Sequence, residues 1–261
     1  MKSVVVAFWL VLFCCQVQAV PWQENPKVAA LFAAAGVKGT FVLYDVKSAR
    51  AIGHDQTRAE TRFIPASTFK IPNSLIGLSV GAVQSVAEPL PYGGQPQPYK
   101  QWERDMGLNE AIAMSNVPIY KELARRIGIE RMRKGVALLE YGNQQIGDTV
   151  DTFWLQGPLE ISAVEQTQFL ARLAQGTLPM ESKVQQEVRG IVLLEQTPQW
   201  KLYGKTGWQN APGAGVGWWV GWVERGGDIY SFALNMEMRE QADADKRVQL
   251  GKASLQAVGV L

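Results

Sequence analysis

The chain has 261 residues, 47% of them hydrophobic and 19% charged, with a formal net charge of +2. That composition belongs to a folded globular chain long enough to bury a core, and it argues against a disordered or fibrous protein. No dense Lys/Arg tract calls for nucleic acid as a partner, although a mildly positive field favours a small anionic ligand.

The first residues read as an export leader. Lys2 supplies a positive start, Val4 to Cys15 is an apolar stretch, and Val17-Gln18-Ala19 fits a small-residue cleavage pattern. An apolar run of about 12 residues is short of the roughly 20 that a membrane span needs. Residues 1–19 are therefore expected to be a signal peptide, with a periplasmic product starting at Val20 and no stable membrane insertion. Cys14 and Cys15 both fall inside this leader, which leaves the mature chain without a disulfide or a thiol nucleophile. His54 is the only histidine, so a zinc cluster is not expected and no metal is assigned. His54 lies in the polar stretch Gly53-His54-Asp55-Gln56, which reads as a surface turn between strands. An activated serine must then use a base other than histidine.

In chain order, Lys27 to Ala35 reads as a short helix capped by Gly36, and Gly39 to Tyr44 as a strand. Lys47-Ser48-Ala49-Arg50 turns into a second strand. Pro65-Ala66 precedes Ser67, where a helix is expected to begin and run to Leu78, with Pro72 as an interior irregularity. A Pro/Gly/Gln-rich loop covers Glu88 to Gln101. Spacing near 3.6 predicts helices over Leu108–Met114, Pro118–Arg126 and Glu130–Leu139. Ser162-Ala163-Val164-Glu165 is a capping box for a helix reaching Ala174. A further helix is expected over Val184–Leu194. Trp200–Thr206, Val216–Glu224 and Ile229–Met238 read as strands, the last two a hairpin through Arg225-Gly226-Gly227-Asp228. Asp245 to Val258 closes the chain as a helix.

Strands near both ends with helices between them predict an α+β fold, an antiparallel sheet with flanking helices plus an all-helical lobe. The expected organisation is a single catalytic domain over 20–261, with an α/β lobe from 20–60 and 181–261 and a helical lobe from 61–180.

Three short motifs carry chemistry. Ser67-Thr68-Phe69-Lys70 places a hydroxyl and an amine at i and i+3, on one helix face. A serine becomes a nucleophile when a base removes its proton, and a lysine held neutral or chemically altered can do so. A helix N-terminus also offers free N–H groups to a developing oxyanion. Ser115-Asn116-Val117 lies between two helices, where a second hydroxyl can relay a proton to a leaving nitrogen. Lys205-Thr206-Gly207 ends a strand, where a lysine and a hydroxyl can hold a carboxylate while Gly207 allows close backbone approach. The ordered set is the pattern of penicillin-interacting serine enzymes.

With these strings the chain resembles the class D serine β-lactamases, the oxacillinases, over essentially its whole mature length. Tyr141-Gly142-Asn143, Phe153-Trp154-Leu155 and Trp218-Trp219-Val220-Gly221-Trp222 also match that family. The resemblance implies that Ser67 is acylated and that Lys70 is an N6-carboxylysine, formed with CO2 or bicarbonate and serving as base for both half-reactions. It needs no other cofactor. Phe69, Val117 and Leu155 would keep that lysine dry, and the Trp154 indole would hydrogen-bond the carbamate. Ser115 would protonate the lactam nitrogen. Lys205, Thr206 and Arg247 would bind the substrate carboxylate, and the backbone N–H groups of Ser67 and Trp208 would form the oxyanion hole. Trp208 stands where Phe or Tyr is more usual, and its larger ring is expected to narrow the mouth beside the Gln209–Gly217 segment. β-Lactams are the expected partners, and a homodimer is left open. A penicillin-binding peptidase and a non-hydrolysing β-lactam sensor share the three motifs and are the competing readings.

Overall fold

The computed structural model describes residues 20–210 and 214–261; the leader assigned to residues 1–19 lies outside them. In chain order it contains β1 (Trp22–Glu24), α1 (Pro26–Ala35), β2 (Gly39–Asp45), β3 (Arg50–His54) and α2 (Gln56–Glu60). A 3-10 turn (Ala66–Phe69) runs into α3 (Lys70–Ser79). Helices α4 (Leu108–Ala113), α5 (Val117–Ile127), α6 (Ile129–Leu138), α7 (Phe153–Gln156), α8 (Ala163–Gln175) and α9 (Ser182–Ile191) follow. Then come β4 (Leu193–Gln196), β5 (Trp200–Gln209), β6 (Gly215–Arg225), β7 (Asp228–Met238) and α10 (Ala244–Ala257).

The strands form one seven-stranded sheet in the order β1-β3-β2-β7-β6-β5-β4. The expected α+β architecture is present, and β2 pairs with β7 from Gly39↔Met236 to Asp45↔Tyr230, joining the two ends of the chain. All pairs are antiparallel except β1 with β3, which is parallel. Local chemistry sets the ends of the helices. The Asn25 side chain accepts from Lys27 N and Val28 N at the start of α1, and Gly36 closes it in the left-handed conformation. The Ser162–Glu165 capping box opens α8.

Several elements differ from the sequence reading. Ser67 lies in a 3-10 turn, and the α-helix starts only at Lys70. The helix expected to reach Leu194 stops at Ile191, because Leu193–Gln196 pairs with β5 as an edge strand. His54 is the last residue of β3, not part of a turn, and its ring packs 5.0 Å from Phe32. Strand β5 runs on to Gln209, which shortens the expected mouth segment. Strand β1 and helices α2 and α7 were too short to register as periodic patterns.

Period-two alternation along β6 feeds two cores. Trp218, Val220 and Trp222 face the large helical cluster, while Trp219 and Val223 face α1 and α10. Trp219 is 1% exposed and lies against α10 at Gly251, where an added Cβ would stand 2.1 Å from the indole ring. A rigid ring cannot yield by that much. Gly251→Ala is expected to destabilise the fold by about 1–3 kcal/mol, read as a lower urea midpoint with an unchanged m-value.

Candidate active site

The turn carrying Ser67 is held from three sides. Thr68 Oγ1 donates to the Pro65 carbonyl (2.8 Å), and Gln166 Nε2 of α8 donates to Thr68 Oγ1 (2.9 Å). The Trp218 indole of β6 donates to the Ile64 carbonyl (2.9 Å). Ala66, directly before the serine, has φ +49°, a conformation that L-residues adopt at a cost. Three residues per 3-10 turn bring i and i+3 into line. Lys70 Nζ accordingly lies 2.9 Å from Ser67 Oγ.

Lys70 is 1% exposed, and burial, helped by the nearby Lys205 charge, pulls its pKa well below the usual lysine range. Burial disfavours the charged form and so favours the neutral amine, which is the reactive one. Phe69 and Trp154, both fully buried, stack on each other with centroids 5.5 Å apart. Val117 and Leu155 are half-buried and line the open cleft, so they border the lysine pocket more than they enclose it. A residue missed in the sequence completes the enclosure. Tyr120 has its ring centre 5.3 Å from Lys70 Nζ and its hydroxyl 2.9 Å from Ser74 Oγ. It follows Val117 by three on α5, and that spacing was the available signal. Among the described residues the buried Trp154 Nε1 has no hydrogen-bond acceptor.

Ser115 sits between α4 and α5 with φ +57°, and Asn116 caps α5 through a bond from Ile119 N (3.1 Å). Strand β5 brings Lys205 to it, with Nζ 3.0 Å from Ser115 Oγ and 3.0 Å from the Thr206 carbonyl. Burial and then Arg247 bring the Lys205 pKa down to about 7. Gly207 is needed for packing as well as for access. A Cβ there would lie 3.0 Å from the Pro65 carbonyl and 3.3 Å from Thr68 N, so β5 closes directly on the serine turn. Arg247 of α10 is no solvated charge. It is 9% exposed and donates to the Gly207 and Ala244 carbonyls.

Ser67, Ser115, Val117, Leu155, Thr206, Gly207, Trp208 and Arg247 all line one cleft of about 340 Å³. Lys70 and Lys205 reach it through the two serine hydroxyls, and Phe69 and Trp154 lie behind. Trp208 is half-buried with its indole N–H turned inward, so the ring is part of the wall. Tyr99 and Trp102, paired edge to face at 4.8 Å, line the opposite rim, and the sequence reading did not include them. Trp102 is fixed by its indole bond to the Met114 carbonyl (3.1 Å). His54 lines a different cavity and bonds Glu24 Oε1 (3.1 Å), which takes it out of serine activation. The cleft therefore offers a hydroxyl nucleophile beside a neutral amine, a second hydroxyl beside a second amine, and a cationic wall suited to an anionic ligand.

The family model of the penicillin binding protein transpeptidase domain matches residues 39–256. β-Lactamase OXA-5 of Pseudomonas aeruginosa is 37% identical over 100% of this chain and 99% of its own. β-Lactamase OXA-48 of Klebsiella pneumoniae is 39% identical over 83% of this chain and 82% of its own. The crystal structure of FUS-1 (OXA-85), a class D β-lactamase from Fusobacterium nucleatum subsp. polymorphum, superposes with a TM-score of 0.89 at 41% identity. It covers 92% of this chain and 100% of that one.

Lys205 also carries a stability signature. Its folded pKa is about 7, against about 10.4 for an unfolded lysine. Between those values the unfolded chain binds the extra proton, so this group adds stability as pH rises from 7 towards 10, and its full penalty is present below 7. Urea unfolding across that range should show a steeper rise with pH in the wild type than in Lys205→Met. Equal slopes would contradict a buried, depressed amine.

Proposed function

The chain belongs to the class D β-lactamases, enzymes that hydrolyse the β-lactam amide, and from that premise we propose how its residues divide the work. The observation that carries the assignment is Lys70, buried where its charged form is disfavoured, 2.9 Å from Ser67 Oγ. Ser67 attacks the lactam carbonyl and becomes acylated. The backbone N–H groups of Ser67 and Trp208 receive the oxyanion, a contribution of about 3 kcal/mol per donor in comparable sites. Ser115, hydrogen-bonded to Lys205, passes a proton to the departing lactam nitrogen. Lys205, Thr206 and Arg247 pair with the substrate carboxylate.

The pocket suits an N6-carboxylated Lys70. Burial disfavours the charged amine, the Tyr120 ring lies against it, and among the described residues the Trp154 indole N–H lacks an acceptor that a carbamate oxygen would supply. Once formed with CO2, that group supplies an anionic base beside Ser67 for acylation and for the water that releases the product. Residues 20–261 form one catalytic unit in this reading. Residues 1–19 act as its export leader to the periplasm, on the strength of the sequence pattern alone. Among the described residues no helix is long and apolar enough to cross a membrane.

The decisive assay is steady-state turnover of benzylpenicillin. A stable one-to-one acyl adduct without turnover would point to a sensor instead. Ser67→Ala should lose all turnover, and Lys70→Ala should lose it by at least about a thousandfold, within reach of what base catalysis supplies. Degassing at mildly acid pH should lower wild-type activity, with recovery on adding bicarbonate. Trp154→Phe should need more bicarbonate for the same recovery, and 13C NMR of labelled carbamate should show lower occupancy.

A further inference from the structure

Arg247 spends two donors on the protein itself. Nη1 donates to the Gly207 carbonyl and Nε to the Ala244 carbonyl at 2.8 Å. The side chain is 9% exposed, and the sheet is shaped around it: a Cβ at Gly217 would stand 2.8 Å from Arg247 Cδ. A guanidinium serving only to meet an incoming carboxylate has no use for an interior backbone acceptor.

That acceptor is half of a peptide unit whose other half faces the cleft. The peptide group is planar and trans, so the Gly207 C=O and the Trp208 N–H point in opposite directions. Strand parity tells which is which. Gly204 N donates to the Val192 carbonyl, on the edge of β5 away from β6, and the Thr206 carbonyl accepts from Lys205 Nζ. With a period of two, the Trp208 N–H points to that same edge. There β5 closes on the Pro65–Thr68 turn that carries Ser67.

We infer that Arg247 is a positioning residue for the oxyanion site: by holding the Gly207 carbonyl it fixes the peptide whose Trp208 N–H faces the reacting carbonyl. A cation on the C=O end also draws electron density from the N–H end and makes it a stronger donor. The forked guanidinium matters, because one flat group bridges the Ala244 and Gly207 carbonyls together, which a lysine's single nitrogen does not reproduce. This role is separate from pairing with the substrate carboxylate, and it rests on the hydrolytic reading given above.

Removing the carboxylate from the substrate separates the two roles. Benzylpenicillin and its methyl ester are compared on wild type, Arg247→Ala and Arg247→Lys, with phenylboronic acid as a tetrahedral adduct that also lacks a carboxylate. Loss of a whole oxyanion donor costs 10²–10³-fold, so a loosened one should cost about tenfold. The expected result is an approximately tenfold fall in kcat/KM for the ester in Arg247→Ala, carried by kcat, with a similar weakening of the boronic acid. The acid substrate should lose more, because its KM rises as well. Millimolar guanidinium should restore part of the ester rate in the variant. An ester rate and boronate affinity equal to wild type, with the penalty confined to the acid, would overturn the inference. Near-UV circular dichroism checks folding. If Arg247→Ala does not fold, Arg247→Lys decides on the same comparison: a slowed ester supports the positioning role, and an unchanged one refutes it. If wild type itself fails to turn over benzylpenicillin, the hydrolytic reading falls instead.

Discussion

An amine closed off from water, with no counter-charge among the described residues, governs the architecture around Lys70. Charging it there would cost several kcal/mol of lost hydration with no ion pair in return, and the nearby Lys205 makes the charged form worse still. Burial therefore favours the neutral form, and a neutral amine within hydrogen-bonding distance of a serine is a chemical reagent. The aromatic packing of Phe69, Trp154 and Tyr120 follows from this need. So does the 3-10 turn, whose three-residue repeat aims the hydroxyl at the nitrogen.

Strand β5 supplies the other half of the site by alternation alone. Lys205 and Gly207 lie on one face, the first reaching Ser115 and the second letting the strand close on the serine turn. The backbone groups at 204, 206 and 208 turn to the edge that β6 does not use. A one-residue slip against β6 would reverse all of these assignments. The long β5–β6–β7 register, anchored by Trp218, Trp219 and Trp222 in two separate cores, holds that register in place.

The chemistry was legible in the sequence because it is written in local spacing. Ser67 with Lys70, Ser115 with its capping neighbour, and Lys205-Thr206-Gly207 each form a short string whose residue types have few other uses together. The fold class was legible from strands near both ends and helical periods between them. What could not be read depends on contacts between distant segments. Tyr120 looked like any aromatic on an amphipathic helix until α5 met α3. Arg247 was read only as a partner for the substrate carboxylate, because its two acceptors within the protein are carbonyls, and carbonyls leave no trace in a sequence. Leu193 and Leu194 fit a helical pattern as well as a strand, and only pairing with Tyr203 and its neighbours decided between them. Tyr99 sat in the Glu88–Gln101 loop and Trp102 just beyond it, where no periodic pattern marked either.

The pairing of β2 with β7 links residues roughly two hundred positions apart, an arrangement that slows folding because the loop must close before its contacts reward it. The helices between them can form early from nearby contacts. The serine turn cannot be finished by those helices, since Trp218, which bonds it, and Gly207, which packs on it, arrive on strands near the end of the chain. Catalytic competence is thus tied to the last stage of assembly. A half-folded or truncated chain would carry Ser67 and Lys70 and still be chemically silent.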